Sequence, residues 1–282
     1  METANNIKEM VRQKYAEIAL QDKDTNTSSC CGASGCSTEV YNIMADDYSD
    51  LEGYHPDADL GLGCGLPTQF AKIKKGDVVI DLGSGAGNDA FIARHEAGET
   101  GKVIGIDFTP AMIERARLNA EARGFHNVEF RQGDIEAMPV SANKADVMVS
   151  NCVLNLVPNK NGVLQEMHRV LKPGGHFSIS DIVLEGELPK KIKEAAEMYA
   201  GCVAGAVQKQ VYLELIENAG FRNVTIQKDK PIVIPDDILG NFLSPEEIAS
   251  FKSSGTGIRS ITVYAEKPLE EKKTCCGPDC CK

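Results

Sequence analysis

The chain has 282 residues, of which 42% are hydrophobic and 25% charged, a balance typical of a water-soluble globular protein. Its formal net charge is −11 at pH 7, and no segment is strongly basic. Such a chain repels nucleic-acid phosphates, so we expect a small molecule or ion as its ligand rather than DNA or RNA. No apolar run reaches the roughly 20 residues that a membrane-spanning helix needs. The first twenty residues carry charges throughout and lack a signal-peptide core, so a cytoplasmic protein without membrane partners is expected.

Ten cysteines are many for an intracellular chain of this size. In a reducing compartment they favour metal binding or redox chemistry over structural disulfides. Zinc is a weak candidate, because the cysteine spacing matches no standard finger and the five histidines do not cluster with cysteines.

The predicted elements begin with an amphipathic helix over residues 7–20, a cysteine-bearing polar loop over 25–38 and a glycine-rich approach over 53–67. From residue 77 onward, strand-like and helix-like runs alternate. Strands are predicted at 78–80, 103–106, 128–130, 147–149 and 176–183, and helices at 90–97, from Thr109-Pro110 to Gly124, and at 162–171. This alternation predicts an α/β fold, a doubly wound, Rossmann-like and mostly parallel sheet with helices on both faces.

Beyond Pro189 the alternation is looser, with helices predicted at 190–199 and 209–219 and late strands at 224–227 and 261–264 that complete the sheet. We therefore expect four segments. They are an N-terminal helix and cysteine-bearing lid (1–65), a Rossmann-like ligand-binding core (66–185), a C-terminal substrate-binding and sheet-completing region (186–268), and a mobile cysteine-rich tail (269–282).

The clearest local motif is VVIDLGSGAGNDA at 78–90, where a strand ends at Asp81 and three glycines precede a helix. Glycines allow a sharp turn and close approach of a ligand, and a helix N-terminus favours an anion. In the dinucleotide pattern the sixth position is glycine, whereas Asn88 stands there in this chain. The spacing alone does not identify the ligand, and NAD is one of the cofactors that it allows.

Acidic residues follow the next two predicted strands. Asp107 ends the second strand, about 20 residues past the glycines, as expected of a carboxylate that binds ribose hydroxyls. Asp134 follows the third strand. Because open α/β sheets bind ligands at the carboxyl ends of their strands, these acids are expected to share one site with Asp81.

Four motifs in this order resemble the class I S-adenosylmethionine (SAM)-dependent methyltransferases: DLGSGAG at 81–87, GID at 105–107, GDIEAMP at 133–139 and HRVLKPGG at 168–175. The resemblance covers residues 77–183 and implies SAM as the cofactor. It implies that Gly83 to Gly85 contact the methionine moiety, that Asp107 binds the ribose, and that Asp134 and Ile135 neighbour the adenine. The full cofactor-binding set that it implies is Asp81, Gly83, Ser84, Gly85, Asp107, Phe108, Met112, Asp134, Ile135 and Asn151.

The segment after the fourth predicted strand, Ser150 to Asn155, contains Cys152 but no obvious base. Oxygen and nitrogen acceptors of a methyl group usually need a base, whereas soft metals and metalloids bind thiolates. The lone pair of trivalent arsenic is a nucleophile that needs no base. The further candidate thiols are Cys30, Cys31, Cys36, Cys64 and Cys202, and each one alone is equally well explained as a small buried residue.

Over nearly its whole length the chain resembles the arsenite methyltransferases, through ADLGLGCGLP at 58–67, SNCVLNL at 150–156 and the Gly201-Cys202 segment. The resemblance implies that Cys64, Cys152 and Cys202 bind trivalent arsenic, and that Cys36 takes part in capture or in a disulfide relay. The implied substrates are arsenite and methylarsenite as thiol conjugates, with thioredoxin or glutathione as the reductant and a role in arsenic detoxification. A monomer is expected.

Two other functions stay open at this point. A quinone-type small-molecule methyltransferase shares HRVLKPGG and predicts activity that survives loss of the thiols. A thiol-based arsenic or metal sensor predicts arsenite binding without S-adenosylhomocysteine, although the intact glycine loop and Asp107 argue against it. The tail cysteines at 275, 276, 280 and 281 fit transfer of arsenite, binding of a soft metal or simple redundancy.

Overall fold

A computed structural model describes residues 4–21, 44, 46–191, 203, 205–233, 236–254 and 256–269. Its centre is a seven-stranded sheet in the order β3-β2-β1-β4-β5-β7-β6. The strands are β1 Val78–Leu82, β2 Lys102–Asp107, β3 Val128–Gln132, β4 Ala145–Asn151, β5 Leu171–Glu185, β6 Arg222–Ile232 and β7 Gly257–Glu266. Strands β1 to β5 pair in parallel, and β7 runs antiparallel to both β5 and β6. The predicted mostly parallel sheet is confirmed.

Eight α-helices are described, together with 3₁₀ turns at Pro56–Ala58 and Leu154–Leu156. The helices are α1 Ala4–Ile18, α2 Pro67–Phe70, α3 Asn88–Ala97, α4 Pro110–Ala122, α5 Lys160–Val170, α6 Lys209–Asn218, α7 Asp236–Leu239 and α8 Pro245–Ser253. Within the described ranges, none of them is both long and apolar enough to span a membrane. The sequence predicted α1, α3, α4, α5 and α6 but not the short α2, α7 and α8, and the helix predicted at 190–199 lies almost entirely outside the described residues.

Helices cover both faces of the sheet, as the alternating pattern predicted. Successive residues of a strand point to opposite faces. Val79 and Val103 accordingly belong to the buried cluster that contains side chains of α3 and α4, whereas Ile80 and Ile104 belong to the cluster with α5 and α6. The central strands are therefore apolar on both faces, which explains their continuous hydrophobic runs.

Residues 172–175, between the helix predicted at 162–171 and the strand predicted at 176–183, are part of β5 in the structure. Helix α5 ends at Val170, and β5 begins at the next residue, Leu171. The register with β4 shifts between the pairs Ala145–Leu171 and Val147–His176, so residues 172–175 form a bulge. The bulge lets the chain pass from the helix into the sheet without a separate loop.

Strands β6 and β7 extend the sheet with residues from the predicted C-terminal region. Both are longer than the sequence pattern indicated, and β7 pairs with β5 over ten residues, from His176–Glu266 to Glu185–Gly257. At the other end of the chain, α1 contributes Val11 to a buried cluster that also contains Cys64 and Cys152. Both termini of the described chain thus help to surround the carboxyl ends of the parallel strands.

Candidate active site

A cleft of about 1050 Å³, including its open mouth, lies at the carboxyl ends of the parallel strands. This is the edge where open α/β sheets bind ligands. Most of the sequence-predicted site residues line it: Asp81, Gly83, Ser84, Gly85, Asp107, Phe108, Asp134, Ile135, Asn151 and Cys152. Residues that the sequence analysis did not select also line it, among them Lys8, Tyr15, Tyr48 and Asp89.

The glycine loop after β1 forms a cradle in this cleft. Gly83 and Gly85 have φ values of +69° and +50°, in the left-handed region that favours glycine. A Cβ atom at Gly83 would overlap Val153, but one at Gly85 would meet no atom within 4 Å. Beside the loop, the Ser84 hydroxyl and one carboxylate oxygen of Asp81 are buried with no partner among the described residues. Such a site calls for a polar ligand.

The cleft is acidic, because four buried carboxylates line it: Asp59, Asp81, Asp89 and Asp107. Burial raises the pKa of Asp81 well above its ordinary value, and the nearby Asp89 and Asp107 raise it further. Burial also raises the pKa of Asp107. Lys8 is the one basic side chain among the described residues that line the cleft. A cationic ligand suits this site better than the anionic pyrophosphate of NAD, because it would offset the repulsion between these acids.

Asp107 links the glycine loop to the end of β2. Its carboxylate accepts hydrogen bonds from the backbone N–H of Gly85 at 3.0 Å and of Thr109 at 2.8 Å. Thr109 is the N-cap of α4, as predicted, but its side chain makes no capping hydrogen bond. The helix ends at Ala122, two residues before the predicted stop at Gly124. The carboxylate of Asp107 therefore holds the glycine loop beside the N-cap residue of α4.

Helix α1 covers the part of the cleft near Asp134 and Ile135. The Lys8 ammonium lies 2.7 Å from a carboxylate oxygen of Asp134 and 3.0 Å from one of Glu136. Burial lowers the pKa of Lys8, but the hydrogen bonds to both carboxylates outweigh burial and raise it. Tyr15, two turns further along α1, also lines the cleft. The ion pair thus fastens α1 across the cleft.

Met112 lies beneath the cleft surface rather than on it. Its side chain is fully buried in a small cluster with Ile18, Leu60 and Ala86. Ala86 lines the cleft, whereas Met112 does not. The family resemblance that implied a cofactor contact for Met112 does not distinguish a residue that lines the cleft from one buried beneath its surface. Its predicted contact with the cofactor stays a prediction.

Two of the three predicted arsenic-binding cysteines, Cys64 and Cys152, lie within the described residues. Both are buried, and they belong to one apolar cluster. Cys152 lines the cleft with φ +61°, and its backbone N–H donates to the carbonyl oxygen of Ser180 at 2.8 Å. The carbonyl oxygen of Cys64 accepts a hydrogen bond from the Ser260 hydroxyl.

The third predicted arsenic-binding cysteine, Cys202, lies outside the described residues. So do Cys36, predicted for capture or a disulfide relay, and Cys30 and Cys31. Within the described part of the chain, no group of three His, Cys, Asp or Glu side chains is placed to hold a metal ion.

Asn151 connects the loop that carries Cys64 to the strand that leads to Cys152. Its side-chain oxygen accepts a hydrogen bond from the Cys64 N–H at 2.9 Å. Its amide nitrogen donates to the carbonyl oxygen of Gly65 at 2.8 Å and lies 3.2 Å from a carboxylate oxygen of Asp89. Although Asn151 lines the cleft as predicted, both of its polar atoms bond to protein groups.

Tyr48 and Asp89 complete this network. The Tyr48 hydroxyl lies 2.9 Å from the carbonyl oxygen of Gly65 and 3.0 Å from a carboxylate oxygen of Asp89, and it also contacts the Asn151 amide. Burial raises the pKa of Asp89 to about 6, while hydrogen bonds from Asn151 and Tyr48 oppose the increase. Asp89 stands in the first turn of the helix after the glycine loop, a visible sequence feature, whereas no local pattern marks Tyr48.

The sheet with its antiparallel β7, the glycine loop after β1 and the acid at the end of β2 define a class I SAM-dependent methyltransferase. Residues 73–220 match the family model of a methyltransferase domain. Over 277 residues the chain is 38% identical to an arsenite methyltransferase of Halobacterium salinarum, which covers 94% of this chain and 67% of that protein.

The structural comparison agrees. An arsenic(III) SAM methyltransferase from Chlamydomonas reinhardtii superposes with a TM-score of 0.63 at 31% identity, covering 82% of this chain and 74% of that one. The chain belongs to the arsenite methyltransferase family. Two demethylmenaquinone methyltransferases are each 30% identical to the chain. The match covers 57% of this chain and 63% of the protein from Lactococcus lactis, and 67% of this chain and 86% of the protein from Lactobacillus johnsonii. The resemblance found in the sequence is thus confirmed.

Proposed function

We propose that this chain transfers the methyl group of SAM to trivalent arsenic bound by Cys64, Cys152 and Cys202, as part of arsenic detoxification. The observation that carries the proposal is the position of Cys64 and Cys152. Both thiols are buried in one apolar cluster at the border of the cleft, and Asn151 joins the segments that hold them. Thiolates are the ligands that a soft metalloid prefers.

The cleft fits SAM, which supplies an electrophilic methyl group on a positively charged sulfur when bound. The cradle at Gly85 and the unpartnered polar atoms of Asp81 and Ser84 would receive the charged methionine end. Asp107 would hold the ribose, and Asp134 and Ile135 would lie beside the adenine. The buried carboxylates favour this cationic ligand over a dinucleotide.

The thiols would take arsenic from its conjugates by exchange, each protein thiol giving its proton to the departing thiolate. In the trithiolate, the arsenic lone pair attacks the methyl carbon, and the carbon–sulfur bond breaks to release S-adenosylhomocysteine. Cys64 and Cys152 contribute by holding the arsenic in line, since positioning supplies much of the rate in such a transfer.

No proton has to be removed from arsenic, so this reaction needs no general base. Methylation raises the formal oxidation state of arsenic from +3 to +5. Two thiols that form a disulfide supply the two electrons that return it to +3, and their two protons are released to solvent. We infer that Cys36 takes part in capture of the substrate or in this relay. Thioredoxin or glutathione would then reduce the disulfide.

The direct test combines the purified chain with SAM, arsenite and a thiol reductant, followed by chromatographic speciation of the arsenic. We expect methylated arsenic and an equal amount of S-adenosylhomocysteine from the wild-type chain. Cys64→Ser should form both products more slowly than wild type. SAM affinity should be unchanged in that variant, because Cys64 does not line the described cleft.

Two results would contradict the proposal. Arsenite binding without S-adenosylhomocysteine would indicate a sensor. SAM binding without any effect of arsenite, together with methylation of a quinol, would indicate the quinone-type reaction.

A further inference from the structure

We propose that Tyr48, Asp89 and Asn151 form a buried hydrogen-bonded lock that fixes the Cys64 loop against the end of β4, and that Tyr48 and Asp89 are positioning residues for methyl transfer. The lock joins three separate parts of the chain, because Tyr48 precedes the first 3₁₀ turn, Asp89 belongs to α3 and Asn151 ends β4. The proposal rests on the arsenic site proposed above.

The loop that carries Cys64 has little stiffness of its own, because glycines flank the cysteine on both sides. The same glycines are required by close packing. A Cβ atom at Gly63 would lie 2.6 Å from the Asn151 amide nitrogen, and one at Gly65 would lie 2.5 Å from the Ser180 hydroxyl. The loop therefore depends on its surroundings for its position, and the lock supplies hydrogen bonds to both Cys64 and Gly65.

A count of donors and acceptors shows how closely the three side chains depend on one another. The Asn151 oxygen is engaged by the Cys64 N–H, and the two amide hydrogens of Asn151 serve Gly65 and one of its neighbours, Tyr48 or Asp89. The single Tyr48 hydrogen is directed at Gly65 or Asp89. Removing the Tyr48 hydroxyl takes a donor away from Gly65 and Asp89 and leaves the Asn151 amide as their remaining donor within the lock. The hold on the Cys64 loop is then weaker.

The lock also connects the thiol site to the cofactor loop. Asp89 lies two residues after Gly87 in the first turn of α3, and Thr68 at the start of α2 adds a long hydrogen bond of 3.5 Å. A shift of Cys64 would move arsenic relative to both Cys152 and the methyl donor. Because a displacement of about 1 Å can lower the rate about 100-fold, a positioning role is expected to act mainly on kcat.

The test uses the full chain with Tyr48→Phe and Asp89→Asn, and Tyr264→Phe as the matched control. Tyr264 is also a buried tyrosine, but its hydroxyl bonds to Glu266 and it does not line the cleft. Four quantities are measured: the hydrogen-exchange rate of the Cys64 backbone amide, kcat and KM for arsenite, and the SAM Kd.

For Tyr48→Phe we expect Cys64 exchange at least about tenfold faster and kcat lowered about 10- to 100-fold, with the SAM Kd within twofold of wild type. Asp89→Asn should change the Cys64 exchange rate and kcat in the same direction, and its SAM Kd is left out of the test because Asp89 lines the cleft. Tyr264→Phe should match wild type in every quantity measured. Unchanged exchange at Cys64, or faster exchange with normal kcat and KM, would overturn the proposal. A wild-type chain that does not methylate arsenite would instead refute the proposed function, and exchange at Cys64 would still decide whether the lock exists.

Discussion

The side-chain oxygen of Asn151 accepts a hydrogen bond from the backbone N–H of Cys64 at 2.9 Å, although 87 residues separate the two in sequence. Asn151 directly precedes Cys152, so one side chain joins the segments that carry Cys64 and Cys152, the two proposed arsenic ligands among the described residues. The sequence resemblance implied a cofactor contact for Asn151. Because its polar atoms bond to protein groups, we expect its substitution to affect arsenic more than SAM.

Asn151→Asp tests this expectation. The new carboxylate would lose the amide hydrogens that serve Gly65 and would face the carboxylate of Asp89, whose oxygen lies 3.2 Å from the Asn151 nitrogen. We predict at least a 10-fold loss of kcat for arsenite with a smaller change in SAM Kd. Asn159→Asp is the control, since Asn159 is the N-cap of α5 and aspartate caps equally well. A larger effect on SAM Kd than on kcat would show that Asn151 serves the cofactor after all.

Substitution of Gly85 tests the cradle. Gly85 and Gly124 both have positive φ, and a Cβ atom at either would meet no atom within 4 Å, but only Gly85 lines the cleft. Gly85→Ala and Gly124→Ala should therefore each lower the free energy of unfolding by about 1 kcal/mol. Only Gly85→Ala should weaken SAM binding, by about tenfold or more in a titration by calorimetry. Equal SAM affinities in the two variants would exclude the cradle as the cofactor site.

The Lys8 ion pair should make cofactor binding sensitive to salt. Lys8→Met removes the charge that fastens α1 to Asp134 and Glu136, and partly exposed pairs contribute about 0.2–1 kcal/mol. We predict a SAM Kd that rises about two- to fivefold at low salt and converges with wild type at 1 M salt, where the pair is screened. Arg12→Met is the control, because Arg12 pairs only with Glu9 on the exposed face of α1 among its described contacts. A salt dependence of the SAM Kd that is the same in Lys8→Met and wild type would contradict this role of the Lys8 ion pair.

The buried carboxyl of Asp181 should make stability fall as the pH rises. Burial raises the pKa of Asp181 to about 7, against the effects of Lys160 and of hydrogen bonds, including one from Tyr212. The folded state thus favours the protonated form, and this contribution is present below about pH 4 and lost as the pH rises to about 7. The slope for one group is at most about 1.4 kcal/mol per pH unit.

We predict that Asp181→Asn flattens the decline in the urea midpoint between pH 5 and 8. Asp89, whose pKa is about 6, would account for part of the decline that remains. Asp229→Asn is the control. Burial raises the pKa of Asp229, but hydrogen bonds from Arg259 and Lys209 outweigh burial and lower it. The carboxyl of Asp229 is therefore ionised throughout that range. An identical slope in Asp181→Asn and wild type would show that the Asp181 carboxyl does not titrate in this window.

Local patterns were enough to predict the sheet and the acids at its edge. Asp107 ends the second predicted strand and Asp134 follows the third, and parallel strands place such positions along one edge of the sheet. The capping box of α8, Ser244 with Glu247, was also visible in the sequence although the helix was not predicted.

The lock could not be predicted in the same way. Tyr48 bonds to groups 17 and 41 residues away, and the direction of the Asn151 side chain depends on where the Cys64 loop docks. These contacts form only in the assembled tertiary structure, so no periodicity or motif records them. The contact of Met112 with the cofactor, which the family resemblance implied, meets the same limit, because a resemblance in sequence does not show whether a buried side chain reaches the cleft.

The measurement that tests the central claim most directly is arsenite-dependent formation of S-adenosylhomocysteine by wild type and by Cys152→Ser, with the SAM Kd determined on the same preparations. Serine is similar in size to cysteine and adds no new strain to the backbone at this position, where φ is +61°, but it removes the thiolate. We predict that wild type forms one S-adenosylhomocysteine for each methyl group found on arsenic, and that Cys152→Ser binds SAM normally but forms none above background. Arsenite methylation by Cys152→Ser at the wild-type rate would contradict the thiolate site and the function built on it.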